Sequence, residues 1–306
     1  MKVKFKIHII GSGVVGQATG KSLAKRGHNV SFIDINLDTI NMLKADGLNA
    51  LSPDEAKNNF NADISLLTVP TPTIGDRISL VPLKSAVKSL AERIKVIKKY
   101  HVVVVRSTVP PETTENIVIK LLEKYSGKKV GQDFGVCMNP EYLREVSAFA
   151  DFDNPWIVVI GQYDKKSGDT IEQMYKKYKI PIHRVGLREA EIQKYIHNLY
   201  NACKISFFNE MRKVCKKIDA DPDAIFQLTV KSCEGIWNGA YGTRDFGPFS
   251  GSCLPKDTQA FLYWAQMKNF DVTLLDATIK VNNSLKRAKI QIKDINAVYP
   301  TLSAAN

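Results

Sequence analysis

Short apolar runs alternate with longer helical patterns through the first half of the chain. Several of these runs end in Pro or Gly, where a loop leaves a buried strand. This alternation is typical of a parallel sheet covered by helices, so we predict an α/β fold with a Rossmann-type doubly wound sheet. Ligands bind at the carboxyl ends of such strands. The runs are KFKIHII, NVSFIDI, DISLLTVP, HVVVVRSTVP, FGVCMNP and WIVVIG.

The pattern changes near Gly186, after which about 30 residues contain neither Gly nor Pro and carry apolar residues at helical spacing. We therefore predict three parts: a dinucleotide-binding domain over 1–185, a long connecting helix over 186–216, and a smaller all-helical domain over 217–306. The helical pattern of the last part is interrupted by the segment EGIWNGAYGTRDFGPFSGSCLPKD. Loops of such length inside a compact domain are usually functional or disordered.

The charge and the cysteine and histidine content restrict which ligands and partners the chain is expected to bind. The 43 basic and 31 acidic side chains give a formal net charge of +12, which attracts anions such as nucleotides. The basic residues are scattered rather than clustered, so we expect no nucleic-acid partner. The five cysteines contain no CxxC pair, and the histidines have no metal-ligand spacing. We therefore expect neither a metal site nor a disulfide framework.

The chain also lacks the marks of a targeted or membrane protein. The apolar run at the amino end is too short for a signal peptide, and no run approaches the ~18 apolar residues of a membrane span. We expect a cytoplasmic protein without a membrane partner.

A dinucleotide fingerprint follows the first strand. Gly11, Gly13 and Gly16 in IIGSGVVG open the next helix, where glycines allow a tight turn, close approach to a pyrophosphate and close helix packing. Asp34 ends the second strand, 18 residues after the last glycine, where a carboxylate binds the ribose 2′-hydroxyl and repels a 2′-phosphate. We predict NAD rather than NADP; the alternative is a plain glycine turn with a surface Asp. Two further predicted contacts are Val14 and Val15.

Two later strand ends carry prolines and hydroxyls beside the expected cofactor. Proline fixes the loop, and hydroxyl groups can bond ribose, phosphate or water. Either segment could equally be an ordinary strand exit. The candidate cofactor-binding residues of these loops are Pro70, Thr71, Ser107 and Thr108.

Two pairs of polar residues have helical spacing. Glu141 and Glu145 share one face if MNPEYLRE is helical, and they suit acid/base chemistry or form a surface with Arg144 as partner. Lys194 and Asn198 on the long helix could stabilise an alkoxide formed when a substrate hydroxyl loses its proton. The same spacing is common on solvated helices.

Cys253 differs from the other cysteines because polar and turn residues flank it in GSCLPKD. Lys256 and nearby backbone amides favour a thiolate, and Asp257 could orient water. Cys203 and Cys215 lie instead in segments with apolar residues at helical spacing, as structural cysteines do. Cys253 is therefore a candidate reactive thiol.

The combination of motifs closely resembles the UDP-glucose/GDP-mannose dehydrogenase family over residues 3 to about 285. It consists, in order, of IIGSGVVG, Asp34, VPTP, STVPPETT, NPEYLRE with AFADFDNP, AEIQKYIHNLYNACKISFFNE and GSCLPKD. The resemblance implies an NAD-dependent enzyme that oxidises the C6 alcohol of a nucleotide sugar to a carboxylate, with UDP-glucose as the expected substrate. It also implies a homodimer through the long helix.

The resemblance assigns roles to individual residues. Cys253 becomes the nucleophile, Lys194 and Asn198 hold the substrate oxygen, and Asp257 assists the hydrolytic water. Thr108 and Glu141 help to position that water or the acyl intermediate, and Glu145 lies near the cofactor. The residues expected to contact the substrate are Glu141, Tyr142, Leu143, Lys194, Asn198, Gly251 and Lys256.

Several features depart from the family pattern. Members usually read GGxC where this chain has Ser250 to Cys253, and Gly where Val146 stands. Members also continue into a second Rossmann-like domain, which we expect this chain to lack. Two alternatives follow: a β-hydroxyacid or 6-phosphogluconate-like dehydrogenase that transfers one hydride without a cysteine, or a shortened non-catalytic relative that binds NAD as a partner or regulator.

Overall fold

The computed structural model describes residues 4–58, 60–144, 147–243 and 247–298, with residues 58 and 287–298 described by their backbone alone. The chain divides into two compact units, Met1–Asn198 and Leu199–Asn306. The first unit holds the α/β sheet, and the second is helical.

The first unit alternates strands with helices. Its strands are β1 (Lys6–Ile10), β2 (Asn29–Ile33), β3 (Ala50–Leu51), β4 (Ile64–Leu67), β5 (Thr73–Ile74), β6 (Arg77–Ile78), β7 (His101–Val105), β8 (Phe134–Met138), β9 (Val158–Gln162) and β10 (Ile182–Val185). Its helices are α1 (Val14–Lys25), α2 (Leu37–Ala45), α3 (Pro53–Asn58), α4 (Val81–Val96), a π-helix (Thr114–Ile119) continuing into α5 (Lys120–Ser126), α6 (Ala148–Asp153), α7 (Lys165–Tyr175) and a 3-10 turn (Lys176–Tyr178).

Eight of these strands form one sheet in the order β10-β9-β8-β7-β4-β1-β2-β3, and β5 pairs with β6 in a separate hairpin. Strands β4, β7 and β8 are buried along their whole length, as strands covered by helices on both faces must be. The predicted Rossmann-type α/β fold is confirmed.

One pairing departs from a purely parallel sheet. Strand β9 runs antiparallel to β8, with Cys137 opposite Gln162 and Met138 opposite Gly161. Because β10 is parallel to β9, both strands run opposite to the rest of the sheet. The apolar run WIVVIG identified a buried strand but carried no information about its direction.

The carboxyl ends of four neighbouring strands meet at one edge. Gly11 follows β1, Thr68 follows β4, Arg106 follows β7 and Asn139 follows β8. Backbone bonds hold the loops to the sheet there, since the Gly11 N–H donates to the carbonyl of Ile33 over 2.8 Å. This edge is where a parallel sheet of this type binds ligands.

Helix α8 (Leu187–Lys217) begins in the first unit, and its residues from Leu199 onward belong to the second. The second unit adds α9 (Pro222–Ser232), α10 (Glu234–Trp237), α11 (Cys253–Met267) and α12 (Thr273–Val298). Its core is small and is formed by Val214, Leu262, Ala265 and Val272 with partly buried neighbours.

Two histidines are buried in the sheet of the first unit. His101 on β7 is held by the carbonyl of Ala62 and the hydroxyl of Ser65, each 3.1 Å from a ring nitrogen. His8 on β1 packs edge-on against Phe60, and its Nδ1 has no hydrogen-bond partner among the described residues. Burial lowers the pKa of His101 to about 3, and burial followed by nearby positive charge lowers that of His8 to about 4.

These histidines predict a loss of stability in mild acid. Both stay neutral in the folded chain below pH 6.5, whereas the unfolded chain takes up protons there, so the free energy of unfolding falls as the pH drops from 6.5 towards about 4. At pH 5 the loss is about 2 kcal/mol per histidine. Urea unfolding at pH 7 and pH 5 measures it.

The variant His8→Phe should lose part of this pH dependence, since a phenyl ring replaces the imidazole ring and does not titrate. His183, which is exposed on β10, supplies the matched control as His183→Gln and should keep the full dependence. Equal pH dependence in wild type and His8→Phe would contradict the prediction.

Candidate active site

The glycine turn after β1 has no room for side chains. Gly11 has a φ of +94°, and a Cβ there would lie 2.8 Å from the backbone nitrogen of Val69. A Cβ on Gly16 would lie 2.1 Å from the carbonyl oxygen of Gly11. These two glycines therefore serve the tight turn and the close packing of α1 on the sheet.

Gly13 plays a different part. It is the N-cap residue of α1, where a Cβ would meet no atom of the described residues within 4 Å. Among the described residues no side chain caps the helix there, which leaves the first turn without a side-chain partner for its amide groups. A helix N-terminus of this kind binds phosphate groups, and the empty space suits a pyrophosphate close to the backbone.

Asp34 closes the other side of the turn. Its Oδ2 accepts the N–H of Ser12 over 2.5 Å, and its Oδ1 accepts the N–H of Asn36 over 2.9 Å. These bonds fix the carboxylate at the end of β2 beside the glycines. A carboxylate in this place accepts bonds from ribose hydroxyls and repels a 2′-phosphate, so the residues present fit NAD.

A cleft of about 350 Å³ opens at this edge of the sheet. It joins the predicted cofactor loops to Glu141, a predicted catalytic residue. Thr68, Val69 and Arg106 were not among the predicted residues. The cleft is lined by Gly13, Val14, Val15, Thr68, Val69, Pro70, Thr71, Arg106, Ser107, Thr108 and Glu141.

Hydroxyl groups in the cleft wall bind neighbouring loops. Thr71 Oγ1 donates to the carbonyl of Thr108 over 2.8 Å, and Ser107 Oγ donates to that of Val69 over 2.6 Å. Thr68 Oγ1 donates in the same way to Gly11 over 2.6 Å. These bonds hold the loops after β1, β4 and β7 together as one wall.

Arg106 is almost fully buried beneath this wall. Its guanidinium donates to the Thr19 hydroxyl over 3.1 Å and to the side chain of Asn139, and it lies over the ring of Phe152. A single basic residue directly after the apolar run HVVVV was the only sequence signal for it. Arg106 joins the loops after β7 and β8 to helix α1.

Lys194 and Glu141, predicted from separate segments, meet in the structure. The ammonium of Lys194 donates to the backbone carbonyl of Glu141, and it lies 3.2 Å from the carboxylate oxygen Oε1. Lys194 is only 5% exposed. The other oxygen of Glu141 accepts the N–H of Leu143 over 2.6 Å. The pair therefore fixes the loop after β8 against helix α8.

The loop after β8 is not helical over 139–144, so the helical arrangement considered for Glu141 and Glu145 does not form there. Pro140 removes a backbone donor, and the Glu141 side chain closes a local turn instead. Glu145 and Val146 lie outside the described residues. Arg144 pairs with Asp151 over 2.7 Å.

Tyr142 packs against helix α8. Its hydroxyl donates to the side-chain carbonyl of Gln193, and its ring centroid lies 4.9 Å from that of His197. Burial raises the pKa of Tyr142 to about 12, so the hydroxyl stays protonated at neutral pH. Leu143 is partly buried in the same loop, and Asn198 is exposed one turn after Lys194.

The predicted cysteine segment lies in the second unit. Gly251 has a φ of +84°, and Cys253 is the exposed first residue of α11. Lys256 and Asp257 form an exposed ion pair at 3.4 Å in the same first turn. The sequence predicts a loop over this segment, whereas in the structure a helix begins at the cysteine, and its first turn tolerates Pro255.

Within the described residues, no group of three or more His, Cys, Asp or Glu side chains is placed to hold a metal ion. Along the same part of the chain, no helix has the length and apolar character required to cross a membrane.

The Rossmann sheet, the glycine turn, Asp34 and the cleft together define an NAD-binding oxidoreductase. Residues 5–179 match the NAD binding domain of the UDP-glucose/GDP-mannose dehydrogenase family, and residues 188–284 match its central domain. The chain belongs to this family, and its cofactor is NAD.

Individual dehydrogenases of this family are similar to the chain in sequence and in structure. The GDP-mannose 6-dehydrogenase of Pseudomonas putida is 35% identical over 91% of this chain and 68% of its own length. A UDP-glucose 6-dehydrogenase of Bacillus subtilis is 33% identical over 95% and 68%. The crystal structure of GDP-mannose dehydrogenase from Pseudomonas aeruginosa superposes with a TM-score of 0.85 at 32% identity, covering 93% of this chain and 69% of that one.

The open space at Gly13 allows binding to be separated from folding. In Gly13→Ala the new methyl group meets no atom within 4 Å in the part of the chain that the structure describes, but it enters the space expected for the pyrophosphate. We expect the dissociation constant for NAD to rise about tenfold, equivalent to about 1.4 kcal/mol. The free energy of unfolding without cofactor should fall by no more than about 1 kcal/mol. Calorimetric titration and urea unfolding measure the two.

Gly239→Ala is the matched control, because a Cβ at that position also meets no described atom within 4 Å. It should bind NAD as the wild type does. Unchanged NAD affinity in Gly13→Ala would show that the pyrophosphate lies elsewhere.

Proposed function

We propose that this chain oxidises the C6 alcohol of a nucleotide sugar to a carboxylate in two NAD-dependent steps, with UDP-glucose as substrate and UDP-glucuronate as product. The observation that carries the proposal is that Glu141, ion-paired with the buried Lys194, lines the same cleft as the NAD-binding loops. A cation and a carboxylate beside a nicotinamide cofactor suit the removal of a proton and a hydride from an alcohol.

GDP-mannose is a second candidate substrate. The relatives named GDP-mannose 6-dehydrogenase are slightly more similar in sequence than the one named UDP-glucose 6-dehydrogenase. Both sugars carry the same primary alcohol at C6, so the proposed chemistry is the same for either one.

In the first oxidation, Lys194 and Asn198 stabilise the developing alkoxide by donating hydrogen bonds to it. Bound NAD accepts one hydride in each oxidation. Lys194 is held by Glu141 in the present structure, so the substrate oxygen takes up part of the hydrogen bonding that Glu141 now receives. The product of this step is an aldehyde.

In the second oxidation, the sulfur of Cys253 forms a bond to the aldehyde carbon, and the carbonyl oxygen takes up a proton to give a thiohemiacetal. Loss of a second hydride leaves a thioester. Water, oriented by Asp257 and Thr108, then breaks the C–S bond, which releases the carboxylate and regenerates the thiol. The sum consumes one alcohol, two NAD⁺ and one water and yields one carboxylate, two NADH and three protons.

Replacement of the nucleophile tests this route. We expect Cys253→Ala to lower kcat for carboxylate formation by about 10³-fold or more, while the affinity for NAD stays unchanged. Cys233→Ala, which also removes an exposed thiol of the second unit, is the matched control and should retain activity. NADH release with UDP-glucose, GDP-mannose and UDP-N-acetylmannosamine provides the assay.

The number of NADH molecules formed per sugar separates the proposal from its alternatives. Two support the thioester route, whereas one supports a single-hydride dehydrogenase. Carboxylate production by Cys253→Ala at the wild-type rate would eliminate the cysteine mechanism. The absence of NADH release with every sugar tested would favour a non-catalytic NAD-binding role.

We further propose that the chain acts in the cytoplasm as a homodimer through helix α8. Leu199, Tyr200, Ile205 and Phe207 on this helix are exposed in the single chain. Helix α9 adds exposed apolar side chains, and none of its residues is buried. Apolar surfaces of this kind commonly pack against a second copy.

A charge within this surface should dissociate the dimer. We expect Leu199→Asp to sediment as a monomer and wild type as a dimer in analytical ultracentrifugation, because a carboxylate would be buried without a partner. Lys98→Asp, in an exposed loop of the first unit, is the control and should remain dimeric. A monomeric wild type would contradict the proposal.

A further inference from the structure

Glu191 is a buried carboxylate with an unusual set of partners. It lies near the start of helix α8 and is 1% exposed. One carboxylate oxygen accepts the N–H of Glu112 over 2.5 Å. The other accepts the N–H of Thr114 over 2.7 Å and the hydroxyl of the same residue over 2.6 Å.

These donors belong to the loop that follows strand β7 and to the first residue of the π-helix after it. The loop contains a strained residue, since Glu112 has a φ of 71° in the left-handed region that non-glycine residues rarely adopt. The N–H of this residue is one of the three groups bound by Glu191. The carboxylate therefore helps to stabilise this uncommon backbone conformation.

The carboxylate of Glu191 is held by hydrogen bonds from neutral donors. Among the described residues it forms no ion pair, and it lies at the N-terminus of the π-helix that begins at Thr114. Burial raises the pKa of Glu191, whereas its bonds to Thr114 and Glu112 oppose that rise. A buried carboxylate held only by loop donors ties the position of the loop to that of the helix.

Lys194 lies three residues later on the same helix and binds Glu141. Residues 191–194 of α8 therefore hold two walls of the cleft, one carrying Ser107 and Thr108 and the other carrying Glu141. Because both anchors belong to adjacent turns of one helix, neither wall can shift far without breaking a buried polar contact.

We propose that Glu191 is a positioning residue, which holds the loop after β7 so that Thr108 reaches the hydrolytic water or acyl intermediate. This inference rests on the proposed function, because the role of Thr108 comes from it. Glu191 itself touches neither substrate nor cofactor in this scheme.

Glu191→Gln tests the idea with almost no change in side-chain volume. An amide keeps one acceptor oxygen but presents an NH₂ group to a loop donor, so it cannot bind both Glu112 and Thr114. We expect kcat to fall by about 10- to 100-fold, with KM for the sugar changed by less than about threefold. Glu189→Gln, which is exposed two residues earlier, is the matched control and should match wild type.

Hydrogen exchange measured by mass spectrometry on the peptide over residues 107–119 gives a readout that needs no activity. We expect faster exchange in Glu191→Gln than in wild type or the control. Unchanged exchange in that peptide would overturn the proposal, as would faster exchange with unchanged kcat. A wild type that releases no NADH from any sugar, combined with faster exchange in the variant, would instead overturn the proposed function and leave Glu191 as an anchor of the loop only.

Thr114→Val separates positioning from general destabilisation, because it removes one bond to the same carboxylate and keeps the shape of the side chain. We expect a smaller fall in kcat than in Glu191→Gln, and a double variant whose loss is less than the product of the two single losses. A fully multiplicative double variant would contradict a shared positioning role.

Discussion

The site depends on the close contact between the glycine turn and the ends of strands β1 and β4. Gly11 and Gly16 bring backbone atoms so near one another that a single Cβ at either position would overlap a backbone atom. This contact sets where helix α1 begins and therefore where its amide groups point. Gly20 continues the same close packing farther along α1, because a Cβ there would lie 2.4 Å from the ring of Phe32.

The walls of the cleft are held by a different kind of interaction. Hydroxyl-to-carbonyl bonds join the loops after β1, β4 and β7, and buried side chains of α8 secure the loops after β7 and β8. Burying the Lys194 ammonium beside the half-buried Glu141 carboxylate carries a desolvation cost that only good geometry offsets. Because folding has already removed water from the Lys194 ammonium, a substrate oxygen that binds it does not have to displace that water again.

Local patterns in the sequence were sufficient for most of the sheet, the glycine turn and the long helix. Burial on both faces produces the continuous apolar runs of β7 and β8, and the turn requires glycine at fixed spacing. The reversed direction of β9 was not predictable, because direction depends on where the chain re-enters the sheet. Glu191 was missed for a similar reason: its partners lie more than 70 residues away, and nothing near it in sequence distinguishes it from a surface glutamate. The sequence did not predict that Cys253 is the first residue of a helix. Its proposed role as nucleophile stays a prediction.

The placement of Glu191, Lys194 and Asn198 on one continuous helix also limits how the gene can change. Each residue of an α-helix turns the next by about 100° and advances it by about 1.5 Å. Deleting one codon between positions 191 and 198 would therefore swing the following side chains away from their partners, even if every residue type were kept. Loops elsewhere can absorb insertions and deletions, but in this stretch the spacing is as constrained as the chemistry.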